Sequence, residues 1–232
     1  MTLPKLNTPE YELELPSTKE TVKYRPYLVK EEKLLMIAME TGEEKDVINA
    51  TIQAVDNCTF NKFKVDTMPS FDVEYLLLNI RAKSTGEVSE LNVLCTDDYE
   101  TYAPAKVDLK DVKVQYNDEH NKTIKLTDEI GVVMGYPSAT STFSSATGTE
   151  FAFALIRECI EQVYDKDSIY NKADMSEEEI DEFIDSMDTS MLEKVQSFFS
   201  TSPVLKHSIK VTNPKTKVEC DIELRGLQSF FG

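Results

Sequence analysis

A chain of 232 residues, of which 41% are hydrophobic, can bury a hydrophobic core as one large domain or as two small ones. Its 25 Lys and Arg residues against 42 Asp and Glu residues give a net charge of −17, which disfavours binding to nucleic-acid phosphates and to anionic membranes. The four cysteines lie far apart without a C-x-x-C motif, which is typical of reduced thiols in a cytosol. The start of the sequence lacks the pattern of a secretion signal, and no window approaches the roughly eighteen apolar residues of a membrane span.

The first segment, residues 1–27, is predicted to be an extended arm. In EYELEL, residues 10–15, apolar side chains alternate with glutamates, which predicts a half-buried strand with one acidic face. Pro16 ends this strand. TVKYRPYLV is expected to be extended again, because Pro26 lacks a backbone donor and biases Arg25 away from helical angles.

Residues 28–86 are predicted to form a helical region of three helices that pack together. The first helix carries an apolar stripe made by Leu34, Leu35, Ile37 and Ala38 behind charged residues. The second covers residues 43–57. The third begins after Pro69, since proline is well suited to a helix start.

Residues 87–127 change to period-two alternation. The runs VSELNVLC, APAKVDL, VKVQY and KTIKL are short and are separated by polar turns, which predicts one small antiparallel β-sheet inserted between helical segments.

Residues 128–203 are predicted to be a second helical region. It contains a Ser/Thr-rich segment, residues 138–149, expected to be a mobile loop, followed by the predicted helix EFAFALIRECIEQVYD. Two further helices are predicted from capping boxes, at Ser176 with Glu179 and at Ser190 with Glu193. Residues 204–232 are predicted to form a C-terminal β-hairpin with an aromatic tail.

Together these patterns predict an α+β fold: a helical body with a small inserted antiparallel β-sheet and a C-terminal β-hairpin.

The residues that could carry chemistry are few. His120 lies in a turn that is predicted to be exposed, and His207 lies in a predicted strand. Neither has a catalytic partner that can be recognised from the sequence. Cys95 begins LCTDDYET, but Asp98 stands where a zinc ribbon would have its second cysteine. The acidic run after residue 164 lacks the glycine of a calcium loop and is interpreted as a solvated helix start, and no phosphate-binding glycine motif occurs. We therefore predict that the chain is not an enzyme and uses no metal or cofactor.

Several blocks of the sequence resemble the baseplate hub family of T4-like tailed bacteriophages. The resemblance covers most of the chain and includes LPST, YRPYLVKEEKLLMIAME, NCTF, FDVEYLLLNIRAKSTGE, IKLTDEIGVVMGYP, IYNKADMSEEEIDEFIDSM, VTNPKTK and GLQSFF. It implies a non-enzymatic subunit or assembly protein of the central hub, whose partners are other hub and tail proteins. The tape-measure protein is a further possible partner, and oligomers are usual in baseplates. The expected location is the virion tail, with the host cytoplasm during assembly.

Two arrangements of the N-terminal strand are open: it could add to the sheet edge of a partner, or it could pair within its own domain. In the first arrangement, the Tyr-Arg-Pro-Tyr corner fixes the angle at which the arm leaves the helical body. The side chains predicted to bind partners lie in this arm and in the aromatic tail: Tyr11, Leu13, Leu15, Tyr24, Arg25, Tyr27, Phe230 and Phe231.

Two alternative functions also stay open. One is a transient tail assembly chaperone that is absent from the mature virion. The other, from a different class, is an acidic inhibitor that mimics nucleic acid, which the net charge suggests.

Overall fold

A computed structural model of the chain describes residues 7–142 and 147–230, and the chain divides into two compact units. As far as they are described, unit 1 consists of Met1–Gln115 together with Val204–Gly232, and unit 2 is Tyr116–Pro203. Unit 2 is therefore inserted in the sequence of unit 1.

Seven α-helices are found in the described residues: α1 (Val29–Thr41), α2 (Glu44–Cys58), α3 (Ser70–Thr85), α4 (Ala139–Thr142), α5 (Thr149–Cys159), α6 (Glu177–Asp185) and α7 (Thr189–Thr201). The strands over the same residues are β1 (Tyr11–Glu14), β2 (Thr21–Tyr24), β3 (Val88–Leu94), β4 (Tyr102–Asp108), β5 (Lys113–Gln115), β6 (Thr123–Lys125), β7 (Gly131–Met134), β8 (Ile160–Tyr164), β9 (Ile169–Asn171), β10 (Val204–Thr212) and β11 (Glu219–Arg225). Among these helices, none has both the length and the apolar character that crossing a bilayer requires.

Unit 1 combines three helices with three small antiparallel sheets. β1 pairs with β2, β3 pairs with β4, and the third sheet has the order β11-β10-β5. α2 contacts both α1 and α3, as the sequence predicts. α1 ends at Thr41 and is capped by Gly42, whose φ of 69° is a left-handed conformation that glycine adopts without a steric penalty. The core packs α3 against the sheets, with Leu78, Val107 and Leu205 among its buried side chains.

Unit 2 contains a four-stranded antiparallel sheet in the order β6-β7-β8-β9. Residues of α5, α6 and α7, including Ile156, Ile184 and Phe198, pack with Val132 of β7 in a second hydrophobic core. α6 begins with the predicted capping box: Ser176 Oγ accepts from the Glu179 N–H at 3.2 Å, and Glu179 Oε2 accepts from the Ser176 N–H at 2.8 Å.

The α+β fold and the C-terminal hairpin are confirmed. β10 and β11 pair from Lys206 with Arg225 to Thr212 with Glu219, around a turn that contains Pro214. His207 lies in β10, in the strand predicted for it.

The predicted antiparallel β region is divided among several small sheets. The four runs between residues 87 and 127 form strands, but they join three different sheets: β3 pairs with β4, β5 with β10, and β6 with β7. Strand partners are set by the tertiary fold, which local alternation does not report.

The region 128–203 is also less helical than predicted. The predicted helix EFAFALIRECIEQVYD ends at Cys159, and Ile160–Tyr164 is strand β8, which pairs with β7 on one side and β9 on the other. The first part of the acidic run that follows forms the turn between β8 and β9 and then β9 itself, and only its last residues, from Ser176 to Glu179, form the predicted helix start, that of α6.

Two local predictions in this region need correction. Part of the expected mobile loop is helix α4, where Ala139 is fully buried and the Ser138 N–H donates to Glu158 Oε1 at 3.0 Å; residues 143–146 lie outside the described part. The cap of α7 is Asp188, whose Oδ1 accepts from the Met191 N–H at 2.9 Å, and not Ser190. The Asp188 carboxylate, two residues before Ser190, already satisfies a free N–H of the helix start.

Candidate protein-interaction surface

The N-terminal strand pairs within its own chain. β1 and β2 are antiparallel, with Leu13 opposite Val22, and the turn between them closes through the Leu15 N–H, which donates to the Glu20 carbonyl at 2.8 Å. Leu15 is almost completely buried. Of the two arrangements left open by the sequence, this is the one in which the strand belongs to its own domain.

The turn of this hairpin is hydrogen-bonded to α3. The Ser17 N–H donates to Asp72 Oδ1 at 3.0 Å, and the Ser17 hydroxyl donates to Asp72 Oδ2. Asp72 is buried, and burial raises the pKa of its carboxyl group while the two bonds from Ser17 oppose the rise. A buried carboxylate with two donors holds the turn in one position.

The Tyr-Arg-Pro-Tyr corner, residues 24–27, joins the hairpin to α1 around a buried ion pair. Arg25 Nη2 donates to Glu31 Oε1 at 2.9 Å and Arg25 Nη1 donates to Glu31 Oε2 at 3.2 Å. Glu31 is fully buried and the Arg25 side chain is nearly so. Burial raises the pKa of Glu31, but the hydrogen bonds from Arg25 and from the Leu28 N–H outweigh it and hold the pKa below its usual value.

Backbone groups of the same corner bind α2 and α3. The Arg25 N–H donates to the Cys58 carbonyl at 3.0 Å, so it satisfies a free carbonyl at the end of α2. The Tyr27 N–H donates to Ser84 Oγ at 2.8 Å, and Ser84 in turn donates to the Ile80 carbonyl at 2.6 Å. α1 therefore leaves the corner in a direction fixed by contacts with two other helices.

The outer side of α1 presents apolar side chains to solvent. Val29 and Met36 are seven residues apart, which places them two turns apart on one side of the helix, and Met39 follows three residues later. Their exposed fractions are 78%, 56% and 71%. Glu31 and Ala38 are the buried residues of α1. Ile37, predicted to be in the buried stripe, is half exposed. We call Val29, Met36 and Met39 the α1 face.

The predicted partner-binding residues fall into two groups, one buried and one partly exposed. Leu15, Tyr24, Arg25 and Phe230 are buried in unit 1, so their side chains stabilise the fold and we no longer assign them to a partner surface. Burial raises the pKa of Tyr24 to about 12, so it stays neutral. Phe230 belongs to the core of unit 1, and its carbonyl accepts from Ser89 Oγ at 2.6 Å.

The remaining predicted residues keep some exposure. Tyr11, Leu13 and Tyr27 are partly exposed, and a role for them in partner binding stays a prediction. Phe231 lies outside the described residues.

Sequence reasoning missed the α1 face, although the sequence contains a signal for it. LLMIAM, residues 34–39, is a run of six consecutive apolar residues in a helix. Such a run extends around the whole helix circumference, so a helix that packs on one side must leave part of it in water.

The two histidines occupy different environments. His120 is not an exposed turn residue: Nε2 lies 3.1 Å from the Tyr136 hydroxyl, Nδ1 lies 3.0 Å from Thr201 Oγ1, and the ring packs on Phe198. Burial, and secondarily the charge of Lys122, lower the pKa of His120. These contacts anchor the end of α7 to the loop before β6. His207 lies opposite Leu224 in the C-terminal hairpin.

The fold and this surface therefore define an acidic α+β protein that presents an apolar helix face to solvent. The sequence matches the family of T4 bacteriophage base plate proteins over residues 8–232, and the chain belongs to that family. A search of curated proteins and a search of solved structures each found no match. Membership gives the chain a structural role in the phage base plate, in the tail of the virion.

Proposed function

We propose that this chain is a non-enzymatic structural or assembly protein of the central base plate hub, and that it acts through protein–protein contacts made by the α1 face. The observation that carries the proposal is the exposure of Val29, Met36 and Met39 in a chain of net charge −17. Apolar side chains grouped on one surface of an otherwise charged protein mark a binding site for another protein. Methionine suits such a surface, because its flexible thioether adapts to a partner.

The fixed direction of α1 supports the same proposal. A helix held by a buried ion pair and by bonds to α2 and α3 presents its side chains with little freedom to lose on binding, which lowers the entropic cost of association. The partners are other hub and tail proteins, and a second copy of the chain or the tape-measure protein are candidates among them.

The proposal is tested by making the α1 face polar. The variant V29S/M36Q/M39Q should fold with a melting temperature close to that of the wild type, because all three side chains are exposed. It should fail to capture hub proteins in a pull-down from infected cells and should fail to complement a phage that lacks the chain. The matched control is I169S/V218S, which changes exposed apolar residues elsewhere and should retain both properties. Capture of hub proteins by the triple variant at the wild-type level would contradict the proposal.

Hub location and retention are tested together by mass spectrometry of purified virions and of isolated hub assemblies. A hub subunit should be present in both at a fixed copy number. The alternative function is a transient tail assembly chaperone, which the α1 face also fits because it could cover an apolar partner until assembly is complete. The chain would then appear in assembly intermediates and be missing from virions.

The non-enzymatic part of the proposal is tested at the histidines. H120N and H207N should each support phage production, because the proposed function uses no proton transfer. A variant that folds normally but abolishes production would instead favour a catalytic role.

A further inference from the structure

Two hairpins of unit 1 bring three potential metal ligands together. The ligand atoms of Cys95, Asp97 and Cys220 all lie within 4.8 Å of one another. Both cysteines are free and buried, and Asp97 is exposed. The three side chains therefore form a small cluster with an apolar inner side and an open outer side.

The first hairpin provides two of the ligands. Cys95 directly follows β3, and its N–H donates to the Thr101 carbonyl at 2.8 Å, while the Tyr99 N–H donates to the Cys95 carbonyl at 3.1 Å. These bonds close the loop between β3 and β4. Asp97 lies within this loop, two residues after Cys95, so both side chains are placed by one short, hydrogen-bonded segment.

The second hairpin provides the other thiol and orients the carboxylate. Cys220 lies in β11 opposite Val211, near the turn that joins β10 to β11. From that turn, Asn213 Nδ2 donates to Asp97 Oδ1 at 2.8 Å and Thr216 Oγ1 donates to Asp97 Oδ2 at 2.5 Å. Cys220 Sγ lies 3.2 Å from Asp97 Oδ1. Hydrogen bonds of this kind hold a carboxylate in the orientation that a metal requires.

The donor set selects the type of ion. Two sulfur ligands favour a thiophilic ion over Ca²⁺ or Mg²⁺, which prefer oxygen ligands. Zinc binds cysteine sulfur at about 2.3 Å in a tetrahedron, so its ligands lie roughly 3.8 Å apart. The ligand atoms of the three groups, all within 4.8 Å of one another, are already close to that spacing.

We propose that Cys95, Asp97 and Cys220 bind one zinc ion, which links the β3–β4 hairpin to the β10–β11 hairpin. Both thiols lose their protons on binding. The fourth position lies on the open side and is taken by water or by a group from a neighbouring protein. The sequence prediction of no metal relied on Asp98 at the zinc-ribbon position, whereas the second thiol comes from Cys220, far along the chain. This proposal is independent of the α1 face.

A test uses the full-length chain, purified under reducing conditions and exchanged into zinc or cobalt. The wild type should bind one Zn²⁺ per chain, and Co²⁺ should give the thiolate charge-transfer absorption and the strong visible bands of a tetrahedral sulfur site. Zinc should raise the melting temperature, and a chelator should reverse the rise.

Variants assign the ligands. C95S and C220S should lose the cobalt spectrum and the thermal response, whereas C159S, which removes a buried thiol from unit 2, should keep both. T216V, at an exposed position, leaves the ligands in place but removes a bond to Asp97, and should weaken zinc binding by about 10-fold. If a cysteine variant fails to fold, the zinc affinity of T216V, compared with that of the wild type, tests the proposal instead.

Four results would overturn the proposal. They are a wild-type chain that binds no stoichiometric zinc, a cobalt spectrum unchanged in a folded C95S, a zinc affinity unchanged in T216V, and a Cys95–Cys220 disulfide in the freshly purified protein.

Discussion

Arg25 and Glu31 form a two-bond ion pair that is shielded from water, at the point where the β1–β2 hairpin passes into α1. Glu31 also accepts from the Leu28 N–H at 2.9 Å, so one carboxylate serves both the ion pair and the start of the helix. Glu31 therefore helps to fix the direction of α1, together with the bonds from the corner to α2 and α3.

Replacing Glu31 by alanine should destabilise the chain by about 3–5 kcal/mol, because Arg25 would remain charged and buried without its partner. The free energy of unfolding is measured by urea titration at neutral pH. E32A removes the neighbouring glutamate, which is exposed, and should change stability by less than about 0.5 kcal/mol. Equal effects of E31A and E32A would show that the pair contributes little.

The same pair should make the chain sensitive to acid. The folded pKa of Glu31 is lowered, so its contribution is complete above its unfolded pKa, near 4.5, and is lost as the pH falls through the folded value. The variant R25M/E31L should unfold with a shallower dependence on pH below about 4.5. An unchanged slope in acid titrations followed by circular dichroism would exclude Glu31 as the source.

Replacing Leu15 by alanine should destabilise the fold, and the same replacement at Leu13 should have a much smaller effect. Leu15, which directly follows β1, is almost fully buried, whereas Leu13 within β1 is partly exposed. L15A should cost about 2–5 kcal/mol and lower the melting temperature, and deletion of residues 1–16 should do the same. L13A is the control. A deletion that leaves the melting temperature unchanged would indicate an arm that is independent of the domain.

Gly131 should tolerate no side chain, while Gly135 should accept one. A Cβ on Gly131 would lie 2.6 Å from the Ile124 carbonyl oxygen, which is backbone of the paired strand β6, and closer still to the Tyr164 ring. A Cβ on Gly135 would meet the Glu161 side chain, which can rotate away. G131A should therefore lower the melting temperature much more than G135A. Similar melting temperatures would contradict this packing.

Glu74 should lower the free energy of unfolding as the pH rises. Burial raises the pKa of Glu74 to about 7, while a hydrogen bond from the Leu227 backbone opposes the rise. Between about pH 4.5 and 7 the unfolded chain is deprotonated at this position and the folded chain is not, so folding becomes less favourable by up to about 1.4 kcal/mol per pH unit. E74Q should remove this dependence and be more stable than the wild type at pH 8. Parallel curves of unfolding free energy for the two proteins would contradict the prediction.

The elements that the sequence predicted correctly are those encoded by adjacent residues. Ser176 and Glu179 mark the start of α6 because both halves of the cap lie within one helical turn. The alternation on both sides of Pro214 predicts the β10–β11 hairpin for the same reason. α+β architecture followed from such local signals.

The missed features depend on distant partners. Ile160 and Val163 suit a helix face as well as a strand, and only the pairing of β8 with β7 decides between them. Gln115 pairs with Val204, and Cys95 lies beside Cys220, through a fold that no local window contains. The buried Arg25–Glu31 pair was missed because an arginine next to proline in an extended segment gives no sign of burial.

The pairing of Gln115 with Val204 has a consequence for synthesis on the ribosome. Unit 2 lies entirely between these two residues, so it is translated in full while unit 1 still lacks β10 and β11. Apolar residues such as Leu78 and Val107 stay uncovered on the nascent chain during that time, since their core includes Leu205. Unit 1, whose synthesis begins first, is therefore the part that finishes folding last.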